Sequence, residues 1–302
     1  MEKITYHDWP NCYRLTNSII SLILTTDVGP RIIHFGFTGS ENEFATVPDD
    51  LGKMEGDEWR LFGGHRLWHA PESQLRTYYP DFAPVAIEEH ERFVRLIQPT
   101  EATTGIQKEL DITLDGDAAH VTVTHRLRNQ NMWTVELAPW ALSVMVPGGT
   151  AVLPLPPRKL HNSESLQPTS QLSIWSYTDM SDPRWVWGQK YILLHQEPGN
   201  TISQKIGAMA LDGWAGYVRD SRLFIKTFPV HPHATYPDRN ANVEFFTCDF
   251  MLEVETLGPL TALPPGGEVT HTEQWYLFND VPALTNDADV DKQILPRLAD
   301  IL

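Results

Sequence analysis

Proline and glycine interrupt this sequence along its whole length, with 23 and 19 residues respectively. Proline ends regular structure because it lacks a backbone N–H, and glycine disfavours it because of its conformational freedom. The apolar runs between them mostly last about four to eight residues, which is the length of a strand. This pattern predicts an all-β fold with little helix.

Alternating residues locate the strands. Leu110, Ile112 and Leu114 alternate with polar residues, the turn sequence DGD follows, and Val121 and Val123 resume the alternation, which predicts a hairpin. The clearest strands are predicted over residues 18–27, 92–99, 108–129, 221–230, 244–258 and 268–278.

The remaining segments complete the predicted organisation. The C-terminal stretch DVDKQILPRLADIL is typical of a short helix that begins or kinks near Pro296. The Pro- and Ser-rich segment 150–190 is interpreted as a loop over one end of a single domain spanning residues 1–302, with a domain boundary there as the alternative.

The formal net charge is −16, from 39 acidic and 23 basic residues. Such a field repels nucleic acid and anionic membranes, so neither is expected as a partner. The sequence shows no signal peptide and no run of about 20 apolar residues, and Cys12 and Cys248 are isolated, which favours a cytoplasmic protein with reduced thiols.

The stretch GGHRLWHAPE, residues 63–72, concentrates polar and stacking groups. Arg66 offers a planar set of donors, Trp68 a flat apolar face, and His65 and His69 are groups that move protons. Such a mixture suits a carbohydrate, which has stacking C–H faces and many hydroxyls. The structural alternative is a turn whose side chains only pack the edge of a sandwich.

A second cluster lies in residues 228–246. His231 and His233 are spaced so that one strand could direct both at a ligand, with Asp238 and Glu244 nearby. The cluster is interpreted as a ligand-binding or exposed loop. A metal centre on a cupin-like barrel is the alternative, with Asp238 or Glu244 as the carboxylate ligand.

A third candidate is the carboxylate pair Glu253 and Glu255, which project from the same face of a predicted strand. In a concave pocket, burial and mutual repulsion would raise a carboxyl pKa enough for it to act as a general base. Glu255 is the preferred candidate. Serine-nucleophile and phosphate-loop motifs are missing, so no cofactor is expected.

Three stretches taken in order, GGHRLW, HRLRNQNMWTVELAPWAL and LEVETLGPLTALPPGGEVTHTEQWYL, resemble the galactose mutarotase-like (aldose 1-epimerase) superfamily, in particular an uncharacterised bacterial branch of it. The resemblance implies a single β-supersandwich whose concave face binds a sugar. It implies that Glu255 takes the proton of the anomeric hydroxyl and that Arg66 contacts sugar hydroxyls.

The sequence departs from the family at the general acid. Trp140 stands near the position where the family has a histidine, and it is predicted to be a substrate-binding residue. Either His65, His69, His231 or His233 supplies the acid, or the pocket binds sugar without converting it. The chain is therefore predicted to be a cofactor-independent mutarotase or epimerase that acts on a small carbohydrate, with a non-catalytic carbohydrate-recognition protein and the cupin-like metal protein as alternatives.

Overall fold

The short apolar runs form strands in a computed structural model that describes residues 1–301. In chain order the strands are β1 (Glu2–Tyr6), β2 (Trp9–Thr16), β3 (Ile20–Thr25), β4 (Arg31–Phe37), β5 (His65–Ala70), β6 (Ala86–Glu89), β7 (Val94–Ile97), β8 (Ile106–Leu114), β9 (His120–Asn129), β10 (Val135–Met145), β11 (Thr150–Pro154), β12 (Leu172–Ile174), β13 (Trp185–Trp187), β14 (Tyr191–His195), β15 (Gln204–Ala208), β16 (Trp214–Arg219), β17 (Arg222–Thr227), β18 (Val243–Thr247), β19 (Leu252–Leu257), β20 (Thr261–Leu263) and β21 (Glu268–Phe278).

Within residues 1–301, helix is confined to three short segments: α1 (Pro237–Asn240), α2 (Asp287–Gln293) and α3 (Leu295–Ala299). In α1 the residues Asp238 and Arg239 have φ of 48° and 60°, so it is a left-handed turn. Asn286 caps α2 by accepting two backbone N–H groups. Pro296 lies in the first turn of α3, where proline is tolerated, and the predicted C-terminal helix is confirmed with its break next to that proline.

The strands pair into two antiparallel sheets. The first sheet has the order β1-β2-β3-β4-β5-β10-β19-β18-β15-β12, with β20 also paired to β10. The second has the order β13-β14-β11-β16-β17-β21-β9-β8-β7-β6. The two sheets share one large apolar core, in which Phe35 of the first sheet contacts Phe224 and Trp275 of the second at ring-centroid distances of 5.7 Å.

The all-β prediction and the 108–129 hairpin are confirmed, because β8 and β9 pair antiparallel around the DGD turn. Two predicted segments are subdivided. The single strand predicted over 244–258 is the hairpin β18–β19, and the segment 150–190 contains β11, β12 and β13 beside its loops. In the first case both strands are buried almost throughout, including Glu244, Glu253 and Glu255, and the short turn between them contains no glycine or proline, so it is hard to recognise in the sequence.

The motif GGHRLWHAPE holds a strand in the middle of the first sheet, rather than a turn at its edge. Strand β5 lies between β4 and β10 and all six of its residues are buried. Because strand side chains alternate between faces, Arg66 and Trp68 project away from the second sheet, while His65 and His69 project into the sandwich. The strand pairing aligns Arg66 with Leu142, Glu255, Glu244 and Gly207 in one row across the sheet.

None of the helices described is long and apolar enough to cross a membrane.

Candidate functional site

A pocket of about 210 Å³ opens on the face of the first sheet that points away from the second sheet. Its volume is below the ~300–1,000 Å³ typical of pockets for drug-sized ligands, so it suits one small molecule. Aromatic side chains form much of its wall: Trp59, Trp68, Tyr78, Trp140, Tyr177 and Phe246. The charged lining residues are Arg66, Glu72, Lys205 and Glu253.

Arg66 forms one wall of the pocket and is 3% exposed. Its guanidinium carbon lies 4.3 Å from the ring centroid of Trp68 and 5.4 Å from that of Trp59, and one terminal nitrogen is 2.9 Å from Oε1 of Glu253. Within residues 1–301 the Nε atom and the other terminal nitrogen have no hydrogen-bond acceptor. Buried donors without a partner cost free energy, so these two nitrogens, with three N–H bonds between them, are available for oxygen atoms of a ligand.

Lys205 lies at the opposite side of the pocket, between two carboxylates. Its Nζ is 2.8 Å from Oε2 of Glu244 and donates a 3.1 Å hydrogen bond to Oε2 of Glu255. Burial lowers the pKa of Lys205, but the two carboxylates outweigh that effect and hold the pKa well above its usual value. Trp140 donates a 2.8 Å hydrogen bond from Nε1 to the same oxygen of Glu255.

Both carboxylates next to Lys205 are fully buried, Glu244 and Glu255 each being 0% exposed. Burial raises the pKa of Glu255, and it raises the pKa of Glu244 well above the usual value, while Lys205 opposes both shifts. Glu253, two residues before Glu255 on the same strand, instead lines the pocket. Of the predicted carboxylate pair, Glu253 therefore faces the cavity and Glu255 lies behind Lys205 and Trp140.

A histidine network occupies the core on the other face of β5. His65 Nε2 is 2.6 Å from His125 Nε2, His65 Nδ1 is 2.9 Å from Ser143 Oγ, and His125 Nδ1 is 2.9 Å from the carbonyl oxygen of His271. One tautomer assignment satisfies all three contacts, with Ser143 donating to His65, His65 to His125, and His125 to the carbonyl. Burial lowers the pKa of His65 and His125, so both rings are neutral.

His65, His125 and Glu273 also bring three potential metal-ligand atoms within 4.8 Å of one another. The two Nε2 atoms are closer than the about 3.3 Å that two nitrogens of a tetrahedral zinc site would keep. Glu273 is already bonded through Oε1 to Lys226 at 2.9 Å and through Oε2 to Trp275 at 2.7 Å. These residues therefore fit a hydrogen-bonded core network and do not fit a metal site.

The structure brings some of the predicted site residues together and separates others. Arg66, Trp68 and Trp140 line the pocket, with Glu244 and Glu255 beneath it. His65 and His69 face the core because of the strand alternation, so neither reaches the pocket as the predicted acid. His231 and His233 are exposed on the loop after β17, and Asp238 lies in the α1 turn, so these three do not line the pocket.

Sequence reasoning missed several lining residues. Lys205 lies in the short stretch SQKIGAMA, and the one available signal was a single charge in an otherwise small and apolar run. Trp59, Tyr78 and Tyr177 reach the pocket from segments outside the strands. No local pattern predicts where such segments return to the sheet.

Comparison with known proteins identifies the fold. No family model and no curated protein matches the sequence. Among solved structures, a candidate aldose 1-epimerase from Escherichia coli K12 superposes with a TM-score of 0.57 at 13% identity, covering 89% of this chain and 99% of that chain. A galactose mutarotase-like protein from Lactobacillus casei gives a TM-score of 0.59 at 10% identity, covering 89% of this chain and 100% of that chain.

A candidate aldose 1-epimerase from Klebsiella pneumoniae also gives 0.59, at 11% identity, and covers 99% of this chain and 86% of that chain. The chain therefore has the galactose mutarotase-like sandwich fold, as the sequence resemblance implied, and the cupin-like barrel alternative is wrong. At these identities the similarity establishes the fold alone, and function has to be argued from the pocket.

Proposed function

We propose that this protein binds one monosaccharide in the pocket of the first sheet and interconverts its anomers by acid–base ring opening. The aromatic wall suits the C–H face of a pyranose, while Arg66, Glu253 and Lys205 suit its hydroxyls. The small volume favours a single sugar unit over an oligosaccharide.

One observation carries the proposal: two guanidinium nitrogens of Arg66, which together carry three N–H bonds, are buried in the pocket wall and have no acceptor among the described residues. A protein rarely leaves such donors unsatisfied, because each costs about 1–3 kcal/mol. Their position on the faces of Trp68 and Trp59 places donors and a stacking surface side by side. That combination is what a polyhydroxylated ring requires.

The proposed base is a carboxylate of β19. Glu253 faces the cavity, and one of its oxygens is held by Arg66 at 2.9 Å, so the carboxylate is in position to accept the proton of the anomeric hydroxyl. Glu255, which the resemblance implies as the base, is one side chain further from the ligand. We propose that Glu255 acts through Lys205.

The test is anomer interconversion followed by exchange NMR over a panel of neutral aldoses, amino sugars, uronates and sugar phosphates. Wild-type protein should accelerate exchange for at least one sugar, and Glu253→Gln should reduce the rate about 100-fold or more, as expected for loss of a general base. Glu197→Gln, at an exposed glutamate outside the pocket, is the matched control and should match wild type. No acceleration for any sugar would refute the enzymatic assignment.

A second candidate function is carbohydrate recognition without catalysis. It is favoured by the complete burial of Glu255 and by the pocket lining, which contains no histidine among the described residues. In that case a sugar should raise the melting temperature of the wild type while its anomer exchange stays at the uncatalysed rate. Arg66→Ala should abolish the thermal shift under either function.

A further inference from the structure

Ring opening needs an acid at the ring oxygen as well as a base at the anomeric hydroxyl. Besides its carboxylates, the described pocket wall offers four kinds of proton-bearing group, of which the tryptophan indoles do not release a proton at ordinary pH. Arg66 does not release a proton under ordinary conditions. Tyr78 donates its hydroxyl to Glu72 at 2.5 Å, and the hydroxyl-bearing Tyr177 is 44% exposed at the rim. Lys205 is the remaining group.

The surroundings of Lys205 leave one of its protons without an acceptor. Its ammonium has three N–H bonds, one of which is donated to Glu255, and the carboxylate of Glu244 at 2.8 Å can take a second. The rings of Trp140 and Trp175 flank Nζ with centroids at 4.8 Å each, and an aromatic face is a weak acceptor. The residue is 5% exposed and that exposed part lines the pocket, so the third N–H is available to a bound ligand.

We propose that Lys205 is the catalytic proton donor to the ring oxygen of the sugar, with Glu244 and Glu255 as the positioning residues that keep it charged and oriented. This inference rests on the proposed function. It assigns to a lysine on β15 the role for which the sequence suggested a histidine on another loop.

Each proton transferred during ring opening is returned during ring closure. The carboxylate of Glu253 takes the hydroxyl proton, the electron pair of that O–H bond forms the C1=O1 double bond, and the C1–O5 bond breaks as Lys205 protonates O5. After rotation about C1–C2, O5 attacks C1, Lys205 recovers its proton from O5, and Glu253 returns its proton to O1. No oxidant, reductant or metal is required.

Three carboxylates face Lys205 and decide when it releases a proton, those of Glu244, Glu253 and Glu255. The titratable hydroxyls of Tyr78 and Tyr177 interact with the same lysine but stay neutral, because burial raises the pKa of both. In the resting site the three carboxylates hold the ammonium in its charged form. When Glu253 takes up the hydroxyl proton, one negative charge near Lys205 is removed, and the pKa of the lysine falls at the step in which it must act as an acid.

Two substitutions separate proton donation from charge. Lys205→Arg keeps a cation between Glu244 and Glu255 but removes a releasable proton, and Lys205→Met removes both. For Lys205→Arg we expect saturating exchange rates to fall about 100-fold or more while the sugar-induced shift in melting temperature stays close to that of wild type. The matched control is Lys108→Arg, at a lysine paired with the fully buried Glu101 and 6% exposed in its side chain, outside the pocket.

A further variant keeps the inference testable if both Lys205 variants fail to fold. Glu244→Gln is isosteric and removes one of the carboxylates that hold Lys205 charged. The loss of exchange activity at high pH should therefore begin at lower pH in Glu244→Gln than in wild type. An unchanged pH profile would overturn the assignment, because a merely structural lysine would not move it.

The outcomes distinguish the two proposals. If Lys205→Arg retains exchange within about threefold, the donor role is wrong and the mutarotase assignment stands. If its loss is explained by weaker binding alone, with saturating rates unchanged, Lys205 is a binding residue and the donor role is wrong. If the wild type accelerates exchange of no sugar that it binds, the proposed enzymatic function fails and the donor role fails with it.

Discussion

The indole of Trp140 donates a 2.8 Å hydrogen bond to the same carboxylate oxygen of Glu255 that accepts a hydrogen bond from Lys205. A tryptophan thus occupies the place where the family resemblance led us to look for a histidine, and it serves the buried carboxylate instead of the ligand. An indole N–H does not release its proton at ordinary pH, so Trp140 stabilises charge without taking part in proton transfer.

Trp140→Phe should destabilise the protein by about 1–3 kcal/mol at pH 7.5, because the buried carboxylate of Glu255 loses a donor. The substitution should also raise the pKa of Glu255 further above its usual value. A carboxyl with a raised folded-state pKa loses stabilisation as the pH rises through that pKa, so the deficit should shrink towards pH 5.

Urea unfolding of wild type and Trp140→Phe at pH 7.5 and at pH 5 measures the loss of stability. Trp59→Phe is the matched control, since Trp59 lines the same pocket and its indole makes no hydrogen bond among the described residues. An equal deficit at both pH values would contradict the role given to Trp140.

Arg66→Lys should weaken sugar binding about tenfold, because a lysine cannot reproduce the planar donor set that lies on Trp68 and forms an ion pair with Glu253. Titration calorimetry with the sugar that shifts the melting temperature measures it. Arg92→Lys, at an exposed arginine outside the pocket, should leave affinity unchanged. Equal affinity in Arg66→Lys would show that the arginine packs the wall without contacting the ligand.

Uncharged sugars should bind more tightly than their phosphates or uronates, by a factor of about ten. Around the pocket, Arg66 and Lys205 already face four carboxylates, those of Glu72, Glu244, Glu253 and Glu255, and the whole chain carries a formal charge of −16. An added anion is repelled by this excess. The affinities for one aldose and its 6-phosphate, measured at two salt concentrations, test whether electrostatic repulsion weakens binding of the phosphate. Tighter binding of the phosphate would refute the charge argument.

The core histidines should make stability pH-dependent. Burial lowers the pKa of His271 to about 3, and those of His65 and His125 also lie below their usual value. A histidine with a lowered folded-state pKa stabilises the fold above its unfolded pKa of about 6.5, and this contribution is lost as the pH falls towards the folded value. The stability of the wild type should therefore carry a histidine-dependent slope between pH 7 and pH 5.

His271→Gln removes one titrating group and keeps a donor for Thr256, with which the imidazole is bonded at 2.7 Å. Its free energy of unfolding should fall less between pH 7 and pH 5 than that of wild type. The buried Glu244 and Glu255 titrate with the opposite sign and are common to both proteins, so they cancel in the comparison. Parallel pH profiles would contradict the lowered pKa of His271 in the folded protein, because they would mean that the imidazole binds a proton equally in the folded and unfolded states.

The all-β fold could be predicted because short apolar runs and turn residues are local signals. Which side chains of β5 face the pocket could not be predicted in the same way. All six residues of β5 are buried, so polar and apolar residues do not mark two different faces. Its polar side chains find partners far away in sequence, as His65 does with His125 across the sandwich and Arg66 with Glu253 across the sheet. Only the pairing of strands decides which set reaches the pocket.

The position of Lys205 also depends on strand pairing and could not be predicted from its local sequence. A lysine inside a strand is expected to lie at the surface, and its burial is explained by Glu244 and Glu255, which are 39 and 50 positions later in the chain and arrive through the β15-β18-β19 pairing. By contrast, Arg66, Trp68 and Trp140 were predicted as lining residues because their types suit a sugar whatever the topology.

The two glycines before β5 have φ of 98° and 73°, and a Cβ atom on Gly63 or Gly64 would collide with the neighbouring backbone at Ala45 or Ile32. The two glycines therefore fix the residue at which β5 begins and hence its pairing register in the sheet. A one-residue insertion or deletion here would exchange the two faces, turning Arg66 and Trp68 into the apolar interior and the histidines towards the cavity. During evolution of this protein, insertions and deletions should therefore be tolerated in the 155–171 loop and selected against next to Gly63 and Gly64. Substitutions of individual pocket residues should be tolerated more readily than a change of length at these glycines.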